Sequence, residues 1–163
     1  TGYGIVVSDG RRSKHIASGC IRAGTGEFNQ RLKLIFDGVQ EVVETHRPEV
    51  IAIEQVFVSR SVSSALKLGQ ARGAALAAAL SYALPVFEYA PTQVKRAITG
   101  QGHADKVQVQ HMVKLLIGLH QQLNADQADA LAVALCHAHH AATASRLATA
   151  GTPNRQRGKS ITC

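Results

Sequence analysis

The pattern of apolar and polar positions along the chain predicts alternating strands and helices. Asp9-Gly10 follows the first apolar run and is a hairpin signal. Ser61 or Ser63 is expected to cap the second helix, and Pro48 ends the first. Strands are predicted over residues 3–8, 15–21, 50–53 and 86–89, and helices over residues 27–46, 61–80, 92–98, 104–116 and 125–147. This order predicts an α/β fold with helices on the faces of a sheet.

The length and composition are those of one globular domain with a tail. The chain has 163 residues, of which 45% are hydrophobic and 18% are charged. We expect the domain to span residues 1–147, followed by a basic, disordered tail over residues 148–163. No apolar run reaches the roughly 18 residues of a membrane helix. Cys20, Cys136 and Cys163 form no disulfide or zinc pattern, and no signal peptide is visible, so a cytoplasmic location is expected.

The charge balance is basic. Eighteen Lys and Arg residues against 11 Asp and Glu residues give a net charge of +7. Such a balance suits a nucleic-acid partner, because each phosphate contact releases condensed counterions. A basic surface that serves only solubility is the alternative, and charge alone does not separate the two.

Three of the few acidic residues stand at positions where α/β proteins place functional groups. Glu54 directly follows the apolar run 50–53, at the carboxyl end of a predicted strand. Asp126 and Asp129 are three residues apart at the start of a helix, so they share one face. Clustered carboxylates bind the hard cations that phosphodiester hydrolysis uses. The alternatives are a solvated loop glutamate for Glu54 and a helix cap for the aspartates.

Basic and aromatic residues accompany these acids. Lys106 opens a helix, where the helix dipole disfavours a cation, so it either serves a ligand or pairs with Asp105. Phe57 stands among polar residues and is either a ring that stacks on bases or a buried loop anchor. The remaining basic candidates are Arg60, Lys67, Arg72 and Lys95.

Five sequence blocks closely resemble the bacterial RuvC Holliday-junction resolvases, in family order. They are AIEQVF at 52–57, SALKLGQARG at 64–73, PVFEYAP at 85–91, KVQVQHM at 106–112 and ADQADALA at 125–132. The resemblance spans residues 1–140 and is specific.

This resemblance implies a ribonuclease-H-like mixed sheet flanked by helices, in a homodimer that makes paired symmetrical nicks in four-way DNA junctions. It implies two Mg²⁺ ions per active site, with Mn²⁺ as a substitute, and the branch-migration proteins RuvA and RuvB as partners. Glu54, Asp126 and Asp129 would be catalytic metal ligands, and Lys106 would act in catalysis. The expected nucleic-acid contacts are Phe57, Arg60, Lys67, Arg72 and Lys95.

One family feature is not found in this sequence. Members of the family begin with a strand that ends in Gly-Ile-Asp-Pro-Gly, and its Asp is the fourth carboxylate. That strand would lie inside the sheet, between the hairpin and the strand of Glu54. We therefore expect this chain to be inactive and poorly folded alone, and the complete protein to be active. A non-cleaving junction-binding protein is the alternative function, whereas the absence of a glycine-rich phosphate loop argues against a small-molecule enzyme.

Overall fold

The structure is a computed structural model that describes residues 1–55 and 61–151. Each predicted element is present, in the predicted order. The strands are β1 (Gly2–Ser8), β2 (Ser13–Cys20), β3 (Ile51–Glu54) and β4 (Val86–Tyr89). The helices are α1 (Phe28–His46), α2 (Val62–Leu80), α3 (Pro91–Thr99), α4 (Lys106–Ile117) and α5 (Ala125–Gly151). The α5 helix thus continues past residue 147, into the segment expected to be a tail, and residues 152–163 lie outside the described part.

The strands form two separate pairs. Strands β1 and β2 are antiparallel and turn at Asp9-Gly10, where Asp9 Oδ1 accepts hydrogen bonds from the backbone N–H groups of Arg11 and Arg12, both at 2.8 Å. Strands β3 and β4 are parallel, from Ile51 opposite Val86 to Glu54 opposite Tyr89. Within the described residues no hydrogen-bonded ladder joins the two pairs. The chain therefore has the expected α/β architecture with both antiparallel and parallel pairing, and its sheet is interrupted between the hairpin and the strand of Glu54.

An apolar cavity lies between the two strand pairs. Its volume is about 80 Å³, and Gly2 and Tyr3 of β1 line it together with Ile51 and Ile53 of β3. Apolar residues of α1 and α2 close it. Strands β1 and β3 are thus held on either side of a gap by side-chain packing rather than by backbone pairing.

Helices α1 and α2 pack against each other and against β3. The buried face of α1 carries Val39 and Val43, and the helix ends at Arg47, whose left-handed backbone (φ 48°) precedes Pro48. Helix α2 is capped by Ser61, whose Oγ accepts a hydrogen bond from the Ser64 backbone N–H at 3.3 Å. Of the two candidate caps, Ser61 is therefore the one used.

Helix α5 is the centre of the core. Its residues 131–136 are at most 6% exposed, so the helix is buried on every side at this level. Strand β1 reaches it at two glycines, because a Cβ atom on Gly2 would lie 2.1 Å from the carbonyl oxygen of Asp126, and one on Gly4 would lie 2.8 Å from Leu131. None of the described helices combines the length and the apolar character that a bilayer crossing requires.

A buried polar pair links β4 to α5. The Tyr89 hydroxyl and His137 Nδ1 are 2.9 Å apart, and His137 is only 4% exposed. Burial raises the pKa of Tyr89 to about 12 and lowers the pKa of His137, which the charge of His140 lowers further. Protonation of His137 would place a charge in the core beside the ring of Phe87, 4.5 Å away.

Stability is predicted to fall in acid because of His137. Its folded-state pKa lies below the ordinary value of 6.5, so the unfolded chain binds more protons as the pH falls through 6.5. The free energy of unfolding should then decrease until the pH is below the folded-state pKa. Urea unfolding between pH 7.5 and 5 should show a steeper loss in the wild type than in His137→Gln. His111→Gln, which changes an exposed histidine of α4, is the control, and equal slopes in the wild type and His137→Gln would contradict the prediction.

Candidate active site

Acidic and basic side chains converge where β3 ends and α5 begins. Glu54 is the last residue of β3, and its side chain is exposed at the surface. Partial exclusion of water raises the pKa of Glu54, and the charge of Asp129 on α5 raises it further, whereas Lys106 and Lys95 lower it. The four side chains are therefore close enough to interact electrostatically, although they come from four different elements.

Lys106 neutralises part of this acidic charge. Its Nζ lies 2.9 Å from Asp129 Oδ2, and both side chains are about half exposed. The hydrogen bond and the charge of Asp129 raise the pKa of Lys106, which therefore stays protonated. Asp105 does not pair with Lys106, because its carboxylate caps α4 by accepting a hydrogen bond from the Gln108 backbone N–H at 2.8 Å. Lys106 thus begins the helix and points its charge toward α5.

Asp126 is in the first turn of α5 but is not its cap. Asn124 performs that role, since its Oδ1 accepts a hydrogen bond from the Gln127 backbone N–H at 2.9 Å, and Gln127 Oε1 accepts one from the Asn124 backbone N–H at 3.1 Å. The Gln127 side chain also donates to the Ser18 carbonyl of β2 at 3.2 Å. Asp126 Oδ2 lies 4.0 Å from Cys20 Sγ. The start of α5 is thereby tied to β2.

The donor chemistry of the site suits a divalent cation, but the grouping is incomplete. Glu54 and Asp129 offer the carboxylate oxygens that Mg²⁺ and Mn²⁺ accept. Across residues 1–55 and 61–151, no three His, Cys, Asp or Glu side chains lie close enough together to share a metal ion. Glu54 and Asp129 therefore fit as part of a metal site. Binding of one metal centre by Glu54, Asp126 and Asp129 together stays a prediction.

The predicted nucleic-acid contacts are spread over several elements. Lys95 lies on α3 within electrostatic reach of Glu54, and Lys67 is exposed on α2. Phe57 and Arg60 lie outside the described residues. Arg72 is engaged within the fold, in an ion pair that sequence reasoning missed. No spacing in the sequence signals that ion pair, whereas the Asn-x-x-Gln spacing at the start of α5 does signal the missed cap.

Comparisons with known proteins place the chain among nucleases. Residues 1–137 match the family model for crossover junction endodeoxyribonuclease RuvC. The chain is 55% identical to the RuvC endodeoxyribonuclease of Stutzerimonas stutzeri over 140 residues, which cover 86% of this chain and 80% of that protein. It is 49% identical to the corresponding protein of Edwardsiella ictaluri over 159 residues, covering 98% and 91% of the two chains.

Two solved structures have the same fold. The Thermus thermophilus RuvC structure superposes with a TM-score of 0.79 at 36% identity, over 88% of this chain and 89% of that chain. The structure of T. thermophilus RuvC in complex with Holliday junction substrate gives a TM-score of 0.82 at the same identity and coverage. The likeness thus extends over most of both chains.

Loss of the α5 cap is predicted to destabilise the protein. Asn124→Ala removes the side-chain acceptor of the first helical turn and should lower the free energy of unfolding by about 1 kcal/mol. Asn124→Asp keeps an acceptor there and is the matched control. Urea unfolding of the three proteins is the measurement, and an alanine variant as stable as the wild type would show that the cap contributes nothing.

Proposed function

Because this chain belongs to the RuvC family of crossover junction endodeoxyribonucleases, we propose that it resolves four-way DNA junctions by paired, symmetrical hydrolysis of phosphodiester bonds. The observation that carries the proposal is the convergence of Glu54 and Asp129 with Lys106 within the residues that match the family. The site lies at the carboxyl end of the parallel strand pair, where α/β proteins bind their ligands. The junction complex of a relative with the same fold adds support for the substrate.

The acidic residues are proposed to hold Mg²⁺, two ions per site, with Mn²⁺ as a substitute. Glu54 and Asp129 would provide ligands from β3 and α5, and Asp126 would add a third carboxylate from the preceding turn of α5. Bound divalent ions supply charge neutralisation at the phosphate and an activated water molecule. The protonated Lys106 would exchange its contact with Asp129 for one with a phosphate oxygen, and Lys95 would add a second positive charge.

A homodimer is proposed as the active form, because two symmetrical nicks require two sites. Helix α2 supports this, since Val62, Leu66 and Leu68 are more than half exposed on it. A Cβ atom on Gly69 or Gly73 would meet nothing within 4 Å, which leaves room for a partner helix. Lys67, on the same helix, and Phe57 and Arg60 are proposed DNA contacts. RuvA and RuvB are proposed as partners from the resemblance alone, and a cytoplasmic site of action from the cysteine pattern.

A non-cleaving junction-binding protein is the second candidate function. Two observations favour it for this chain. The described residues bring no three metal-binding side chains together, and the Lys106 ammonium group already pairs with the Asp129 carboxylate. The basic net charge of +7 would serve binding without cleavage equally well.

Cleavage is proposed to require a fourth carboxylate on a strand between β1 and β3. Two observations support this proposal. Strands β1 and β3 are not paired with each other, and residues of both strands line the apolar cavity between them. The cavity of about 80 Å³ is too small for an extended segment, so the pairs would have to move apart as the strand enters. A continuous sheet would then replace side-chain packing with a hydrogen-bonded ladder.

One prediction of this proposal compares three proteins in cleavage of a labelled four-way junction with Mg²⁺. They are this chain, the chain extended at its N-terminus by a strand that ends in Asp, and the same extension with Asn in place of that Asp. Only the Asp form should cut, while both extended forms should unfold at higher urea concentration than the chain alone. Cutting by the Asn form would remove the need for a fourth carboxylate. An Asp form that folds and binds junctions without cutting would favour the binding protein.

A further prediction concerns Asp129→Asn in the extended chain that carries the added Asp. We expect cleavage to fall by roughly 100-fold or more, because changes to mere outer-shell partners of metal ligands already cost 10–100-fold. Junction binding without divalent ions should be unchanged or tighter, since one negative charge near the phosphates is removed. Asp37→Asn removes an exposed acid on α1 and is the charge-matched control. Near-normal cleavage by Asp129→Asn would make Asp129 a structural residue only.

A further inference from the structure

Arg72 of α2 contacts the ends of both parallel strands. Its Nη2 atom lies 2.7 Å from Glu88 Oε1 of β4, and its Nε–H donates a long hydrogen bond of 3.4 Å to the backbone carbonyl of Glu54. The Nη2 atom is buried and has no directed hydrogen-bond partner, so its contact with Glu88 is an ion pair. The guanidinium thus bridges β3 and β4 where the two strands end.

These contacts lie on the face of the strand pair opposite to the acidic site. Glu54 is the register partner of Tyr89, and Ile53 is the register partner of Glu88. Successive strand residues point to opposite faces. Tyr89 contacts His137 of α5, so Glu54 and Tyr89 point toward α5, whereas Ile53 and Glu88 point toward α2. Arg72 therefore contacts the backbone carbonyl of Glu54 on the face of the strand pair that packs against α2, whereas the Glu54 carboxylate lies on the face toward α5.

We propose that Arg72 is a positioning residue, which holds the end of β3 so that the Glu54 carboxylate stays beside Asp129. This rests on the proposed function, in which Glu54 is a metal ligand. It differs from the expectation that Arg72 binds nucleic acid, because its side chain is only 23% exposed and its charge is already paired with Glu88.

A restraint at this point has a physical purpose. Glu54 and Asp129 carry like charges, and their repulsion acts to separate β3 from α5. Beyond Glu54, the last described backbone bond between the strands is that from the Gln55 N–H to the Tyr89 carbonyl, at 2.9 Å. Arg72 adds a second connection there. Arginine suits the role because its planar guanidinium holds several donors in a fixed fork, whereas the lysine ammonium is a compact charge on a flexible stem.

The test compares Arg72→Met, Arg72→Lys and Lys67→Met, three variants of this chain on the same helix. Lys67→Met is matched to Arg72→Met in charge but removes a side chain that is exposed on α2. Three quantities are measured: protection of the Gln55 amide against hydrogen exchange by NMR, Mn²⁺ affinity by electron paramagnetic resonance of free Mn²⁺, and junction affinity without divalent ions. Glu54→Gln reports whether the Mn²⁺ signal depends on Glu54.

Arg72→Met should reduce Gln55 protection by roughly 10-fold, as expected for the loss of a hydrogen bond from a charged donor. Mn²⁺ affinity should fall by about 10-fold, in the range found for groups that orient metal ligands. Junction affinity should change less than 2-fold, and Arg72→Lys should be intermediate in the first two quantities. Lys67→Met should leave Gln55 protection and Mn²⁺ affinity unchanged.

Unchanged Gln55 protection in Arg72→Met would overturn the proposal, as would a loss of junction affinity of more than 2-fold in that variant. Reduced Gln55 protection with unchanged Mn²⁺ affinity would make Arg72 a purely structural residue, which also overturns it. If the wild type and Glu54→Gln bind Mn²⁺ equally, the metal role of Glu54 fails. The Gln55 result still decides separately whether Arg72 holds the strand end.

Discussion

The burial of α5 is the interaction on which the arrangement of the candidate site depends. This helix contacts both strand pairs as well as α3 and α4, and its middle residues are almost inaccessible to solvent. Asp126 and Asp129 lie in its first turns, so the packing of the apolar residues that follow sets where the two acids lie. Metal ligands act only when they are held within about 0.5 Å of their working geometry. Under the proposed function, in which the two acids hold a metal ion, the core therefore has a functional as well as a stabilising role.

The site is stabilised from two sides against the repulsion of its own acids. Lys106 acts from α4 by placing a positive charge beside Asp129, and Arg72 acts from α2 by bonding to the backbone that carries Glu54. The first contact is half exposed and available to an incoming anion, whereas the second is mostly buried. In the proposed arrangement, the exposed charge of Lys106 compensates acidic charge, and the mostly buried Arg72 holds the end of β3 in place.

The sequence predicted the elements well because their signals are local. The Asp9-Gly10 turn, the Ser61 cap and the position of Glu54 at a strand end all depend on residues close together in the chain. The partner of Arg72 was missed, because it depends on how α2 is rotated about its axis and on which face of β4 carries Glu88. The place where the sheet is interrupted, between the hairpin and the strand of Glu54, was expected only from the family resemblance and not from such local signals. Strand pairing over long sequence distances leaves no periodic pattern to read.

The close approach of β1 to α5 links two positions that are distant in the sequence. A Cβ atom on Gly4 would lie 2.8 Å from both the side chain and the backbone nitrogen of Leu131, so a larger residue at position 4 would push the helix outward. That displacement would be transmitted along α5 to its acidic first turn. Because the backbone nitrogen of Leu131 is as close as its side chain, a smaller residue at position 131 would not make room, so the absence of a side chain at position 4 helps to set where the acidic turn lies.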